Sequence, residues 1–140
     1  MLKKITILFM MIVFSMQVHS ADYVPATGDT QLDNALIKLS KDGRYKKKLF
    51  IKNVSNEFQI PRDKIEELFE HYKFNIADVL MTISIADATG QPMNNISRSH
   101  FENKQQGWQF TLNALDISTG NQEFQRIKKD IEKGYISYNK

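Results

Sequence analysis

The 140-residue sequence predicts an all-α protein, a small orthogonal bundle of five or six short helices after a signal peptide. Three observations carry that expectation. All six glycines lie beyond residue 20 and, with Pro61 and Pro92, cut the chain into pieces of helical length. Within the pieces, apolar residues recur at steps of three and four. There is no cysteine, so no disulfide staples a loop-rich alternative, and stability has to come from helix packing. With 41% apolar and 25% charged residues the chain supports one packed domain and excludes collagen-like, coiled-coil and wholly disordered classes.

Residues 1–20 read as the leader. Lys3 and Lys4 precede an apolar stretch from Ile5 to Val18, broken only by Thr6, Ser15 and Gln17, and small residues follow. That is the three-part arrangement of a secretory signal. Val18 and Ser20 supply the small side chains a processing enzyme needs, which places cleavage after Ser20. The uninterrupted run Ile7–Phe14 is far short of the roughly 20 residues of a spanning helix. The expected destination is the periplasm or the exterior, with no transmembrane span after cleavage. The formal charge of +3 then falls to +1, because Lys3 and Lys4 leave with the leader and 17 basic residues face 16 acidic ones.

Residues 21–31, with Pro25 and Gly28 and no periodicity, read as an irregular leader to a single domain over 32–133. Leu32, Ala35, Leu36 and Leu39 fit helix spacing, although the Ile37-Lys38-Leu39 alternation leaves a short strand open. From Arg44 to Phe58, Tyr45, Leu49, Phe50, Val54 and Phe58 form one helical stripe, ended by Gln59-Ile60-Pro61. Pro61 opens the next helix, which buries Ile65, Leu68, Phe69 and Tyr72 and turns Glu66, Glu67 and Glu70 outward.

Asn75 caps a third helix over Ile76 to Thr89, the most apolar segment beyond the leader and the expected centre of the bundle. Gly90-Gln91-Pro92 closes it and starts a helix over Met93 to Lys104, with Met93, Ile96 and Phe101 inward. Trp108, Leu112 and Leu115 mark the next helix, and Phe124, Ile127 and Ile131 the last, over 121–133. Residues 134–140 are a tail that docks or frays.

From about Val54 to Ile127 the landmarks Ala77-Asp78, Pro92, Asn103, Gly107-Trp108, Leu115, Ile117, Gly120 and Glu123-Phe124 follow one another in order. This order resembles an uncharacterised family of small exported bacterial helical proteins. Its pattern runs through an Ala-Asp helix, a Pro-initiated helix, Gly-Trp-Gly, Leu-Gly-Ile and Gly-Ser-x-Glu-Phe. The chain departs from it at Gln109 and Asp116, where the pattern has glycine, and at Asn121, where it has serine. The resemblance implies an exported helical domain and brings no activity or catalytic residue.

Chemistry finds little purchase in the sequence. Beyond the leader only His71 and His100 remain, and neither has a second histidine four residues away, so no metal and no cofactor are expected. No G-x-S-x-G elbow, phosphate loop or dinucleotide fingerprint is present. Residues 108–129 have the outline of a helix-turn-helix. The turn is too long and the mature charge too small for duplex DNA, which is not an expected partner.

The leading expectation is therefore a non-catalytic binding or interaction module of the bacterial envelope, its partner an envelope protein or an anionic surface. Trp108, Phe110 and Phe101 are the candidate contact residues if exposed, although Trp108 also stands in register with Leu112 and Leu115 as a core wedge. Two alternatives stand beside it. Glu67, Glu70 and His71 would serve a cell-wall or glycan hydrolase. The basic cluster Arg44, Lys46, Lys47, Lys48 and Lys52 would hold an anionic lipid, glycan or nucleic acid.

Overall fold

The fold is built around α4, Ile76–Thr89, whose residues 76–85 are all buried. In a chain this short, one helix can be apolar all round only if neighbours cover every face. The computed structural model describes residues 22–43 and 46–138, the last four for their backbone only. Cleavage after Ser20 and the placement of Arg44 and Tyr45 lie outside the described residues.

Seven α-helices and no strand occur among the described residues, one helix more than the upper expectation. They are α1 (Thr30–Asp42), α2 (Lys47–Phe58), α3 (Arg62–Glu70), α4, α5 (Met93–Glu102), α6 (Trp108–Ala114) and α7 (Gln122–Tyr138). Helix α7 lies along α4 over the most extensive contact in the molecule, and α1 packs against both. Helices α2 and α3 pair and lean on α4 from another side, while α5 covers a further face and carries α6. No described helix is long and apolar enough to cross a membrane.

Caps fix the ends. Asp29 accepts from the Leu32 amide at 2.8 Å and Asn75 from the Asp78 amide at 2.9 Å, so α1 and α4 start on side-chain oxygens. Gly90 ends α4 in the left-handed conformation, with φ +71° and its amide on the Ala86 carbonyl. The segment 32–39 is helical throughout, because Leu32, Leu36 and Leu39 all reach the core.

Residues 22–29 are irregular, although α1 already begins at Thr30 and residues 22–27 are engaged as described below. Four expectations are corrected. Helix α2 begins at Lys47 rather than Arg44, and Lys46 at its start provides no side-chain cap. A run of cations at a helix N-terminus opposes the macrodipole, so the basic stretch shortens the helix. Its buried stripe is Phe50, Ile51 and Val54, with Leu49 left exposed.

The tail is helical to Tyr138. Gly134 continues the buried row of Ile127 and Ile131, and packing there overrides glycine's cost of about 1 kcal/mol in a helix. On α5 the inward face is Ile96, Ser97 and His100, and Phe101 points out.

Candidate functional site

Residues 22–27 form a strap across the start of α6. The Trp108 amide donates to the Pro25 carbonyl and the Gln109 amide to the Ala26 carbonyl, both at 2.8 Å. These two donors belong to the first turn of α6 and have no partner within the helix, so the strap serves as its cap. Gly107 makes the crossing possible. Its φ of +69° and ψ of −171° lie in a region essentially reserved for glycine. A Cβ there would stand 2.5 Å from the Ala26 Cβ and 2.8 Å from the Pro25 carbonyl oxygen.

Beneath the strap lies a buried polar cluster. Asp78 on α4 is fully buried, and its Oδ1 accepts from the Tyr23 hydroxyl at 2.7 Å and from Trp108 Nε1 at 2.9 Å. His100 Nε2 stands 3.5 Å from the same oxygen. The His100 ring stacks flat on the Trp108 indole, centroids 3.6 Å apart and planes within 6°. Burial raises the Tyr23 hydroxyl well above its ordinary pKa, and the negative charge of Asp78 and the hydrogen bond to it push the same way. The phenol therefore stays neutral and donates. Among the described residues, Asp78 Oδ2 and His100 Nδ1 are buried without a hydrogen-bond partner.

From this cluster a ladder of rings runs to the surface. His100 meets Phe74 edge-on at 5.5 Å, Phe74 stacks with Tyr72 at 5.3 Å, and Tyr72 meets Phe101 at 5.7 Å. Phe101 is 51% exposed. It stands on the wall of an open groove of about 1090 Å³, between the strap at Tyr23 and Val24 and the 3₁₀ turn Lys104–Gln106.

The cluster is poorly placed for acid-base chemistry on a ligand. A general base has to come within hydrogen-bond reach of the proton it takes. His100 turns Nε2 toward Asp78, and its Nδ1 is closed off inside the protein.

The residues singled out from the sequence fall in three separate places. Trp108 is completely buried, as its register with Leu112 requires, and so offers no surface. Phe101 lines the groove, whereas Phe110, 37% exposed on α6, does not.

Glu67, Glu70 and His71 meet at a shallow depression whose lining comes wholly from residues 63–71. Two carboxyls that cleave a glycosidic bond must flank it, and a depression with one wall brings nothing to the opposite side. Glu67 instead pairs with Lys64 at 3.5 Å. Among the described residues no three His, Cys, Asp or Glu gather into a group fit to hold a metal.

The described lysines of the basic cluster, Lys46, Lys47, Lys48 and Lys52, are exposed but divided. The Lys47 ammonium lies 4.5 Å over the Phe69 ring, whereas Lys48 and Lys52 stand one helical turn apart on another side of α2. Comparison with family models, with curated proteins and with solved structures gave no match.

Sequence reasoning passed over Tyr23, weighed His100 as a metal ligand, and took Asp78 only as a landmark at a helix start. One signal was present in α4, where Asp78, Thr82 and Ser84 interrupt the most apolar segment beyond the leader on positions no neighbour leaves exposed. In α5 the signal was the spacing itself, since His100 lies four residues after Ile96.

Proposed function

We propose that the protein is a non-catalytic binding module of the bacterial envelope, exported and freed from its leader after Ser20, which takes its ligand in the groove bordered by Phe101. One observation carries this reading. An aromatic ring half open to solvent stands at the end of a ladder rooted in the core, on the wall of a groove of about 1090 Å³, while the groove's imidazole is turned inward. Exposed aromatic anchors on rigid supports are what binding sites use.

The hydrolase alternative is less supported, because its three residues share one wall. The anionic-ligand alternative is less supported because Lys47 is already engaged with Phe69.

The test expresses the full sequence in a bacterial host with isotope labelling, recovers the product from the envelope fraction, and determines its N-terminus by mass spectrometry. Ala21 is the expected first residue. Envelope fractions are then titrated into the labelled protein while amide resonances are followed. Shifts concentrated at 22–26 and 100–107 support the reading. Shifts on the α2 lysines or the α3 carboxylates, or none at all, overturn it.

A further inference from the structure

We propose that the groove is a subsite for a neutral glycan, with the C–H face of one sugar ring on Phe101 and its hydroxyl or acetamido groups on the amides around it. This rests on the binding-module reading and adds the chemistry of the ligand.

Charge comes first. The groove's acidic residues, Asp22 and Glu102, are matched by its basic ones, Lys73 and Lys104, so neither a polyanion nor a polycation gains from entering. What remains is amide. Gln105 and Gln106 line the same space, each with a carbonyl acceptor beside an NH₂ donor, together with Asn75, whose oxygen caps α4, and Asn103, whose NH₂ holds the Ser99 carbonyl. Planar groups with a donor next to an acceptor suit a rim of hydroxyls, each of which donates and accepts at once. Phe101 supplies the other half of sugar recognition, an aromatic ring about half exposed on the groove wall. Its ring meets Tyr72 at 65°, and half of its surface remains free.

A protein partner fits less well. A stable protein interface hides about 800 Å² per side around a dry apolar centre, whereas here the large apolar side chains exposed on the groove are Phe101 and Val24, with amides and charges around them.

The site is also held in advance of binding. His100 is clamped between Trp108 and Phe74, which fixes the last turn of α5 and so the direction of Phe101. The Asn103 amide group donates to the Ser99 carbonyl at 2.9 Å. The Gln106 and Gly107 amides close the 3₁₀ turn on Asn103 and Lys104 at 2.9 and 3.1 Å. Side chains carried on a fixed turn lose less freedom when they bind.

The experiment titrates the full-length-expressed, labelled protein with two neutral probes, a trisaccharide of β-1,4-linked N-acetylglucosamine and a trisaccharide of β-1,4-linked glucose. An unstructured neutral peptide is titrated alongside. The expected result is saturable shifts at 22–26 and 100–107 with at least one saccharide, unchanged between about 0.05 and 0.5 M salt. Phe101→Ala and Phe101→Leu should each weaken binding roughly ten-fold or more. Phe101→Leu keeps apolar bulk and lacks the flat face, so its loss separates stacking from packing. Gln105→Ala, on the exposed turn, should weaken binding a few-fold with the fold intact. No saturable shift with either saccharide, shifts that vanish with salt, or affinity indifferent to both Phe101 variants overturns the proposal. Groove shifts with the peptide or with envelope fractions, but with neither saccharide, overturn the glycan chemistry and leave the binding-module reading standing. Silence from every titrant defeats both.

Discussion

Gly107→Ala tests whether the strap is held by a steric fit that only glycine satisfies. The backbone conformation there, φ +69° and ψ −171°, costs a residue with a Cβ about 1–3 kcal/mol. The new methyl would also meet the Ala26 Cβ at 2.5 Å and the Pro25 carbonyl at 2.8 Å, so the strap must move. Moving it breaks the Trp108 and Gln109 amide hydrogen bonds, each about 1 kcal/mol net. Reduced freedom of the unfolded chain returns about 0.4–1 kcal/mol. The expected loss is therefore about 2–5 kcal/mol, a large share of the roughly 5–15 kcal/mol that holds a domain together. The control is Gly90→Ala, at φ +71° with nothing within 4 Å of the added methyl, where only conformational strain of about 1 kcal/mol applies. Urea unfolding followed by the fluorescence of Trp108, the single tryptophan, measures both. Equal losses for the two variants would refute the argument, since Gly90 lies in the left-handed helical region with open space around it, whereas Gly107 combines a glycine-only ψ with the strap against its Cα.

Three further outcomes follow from the same contacts. Tyr23 has its pKa raised in the fold, so its contribution is complete below the ordinary tyrosine value near 10 and lost as pH rises through the folded value. Alkaline unfolding followed by circular dichroism should be less steep in Tyr23→Phe. Asp29 has its pKa lowered, first by the Leu32 amide and then by Lys128 3.1 Å away. Its contribution is present above the unfolded carboxyl value and lost as pH falls, and Asp29→Ala should cost about 1 kcal/mol near neutrality and less in acid. Asp78→Ala leaves the Tyr23 hydroxyl and the Trp108 indole N–H buried without their acceptor and should cost about 3–5 kcal/mol. Asp78→Asn, which keeps an acceptor oxygen, should cost clearly less in the same urea assay.

The helices were legible because hydrophobic periodicity is a local property. Ile65 and Leu68, Val79, Leu80 and Ile83, Leu112, and Phe124 with Ile127 and Ile131 were all assigned inward from spacing, and all are buried. The site was not legible, for a reason visible in α5. Spacing from apolar residues alone put Phe101 inward, yet the helix buries Ser97 and His100, whose polarity disguises the face they belong to. Asp78 read as an acid suited to a helix start, which it also is. Its burial depends on donors 55 and 30 residues away, and no local pattern records those. The strap lacks any period because it is irregular backbone, with Ala26 at φ +46°, whose carbonyls are taken up by amides of α6 far along the chain.

A carboxylate at the centre of such a small core has a geometric role that leucine and isoleucine cannot fill. Apolar stripes attract without direction, so contacts such as Ile96 against α4 tolerate sliding by a fraction of a turn. One oxygen that must be met by the Tyr23 hydroxyl and the Trp108 indole, with the His100 imidazole beside it, permits one arrangement of the strap, α5 and α6 relative to α4. The groove inherits that arrangement through the backbone. Asp22 and Val24 flank Tyr23, Phe101 follows His100, Gly107 precedes Trp108, and Asn75 caps the turn that carries Asp78. The walls of the groove are thus chain neighbours of the residues that converge on one buried oxygen, and the groove is positioned by the core that folds.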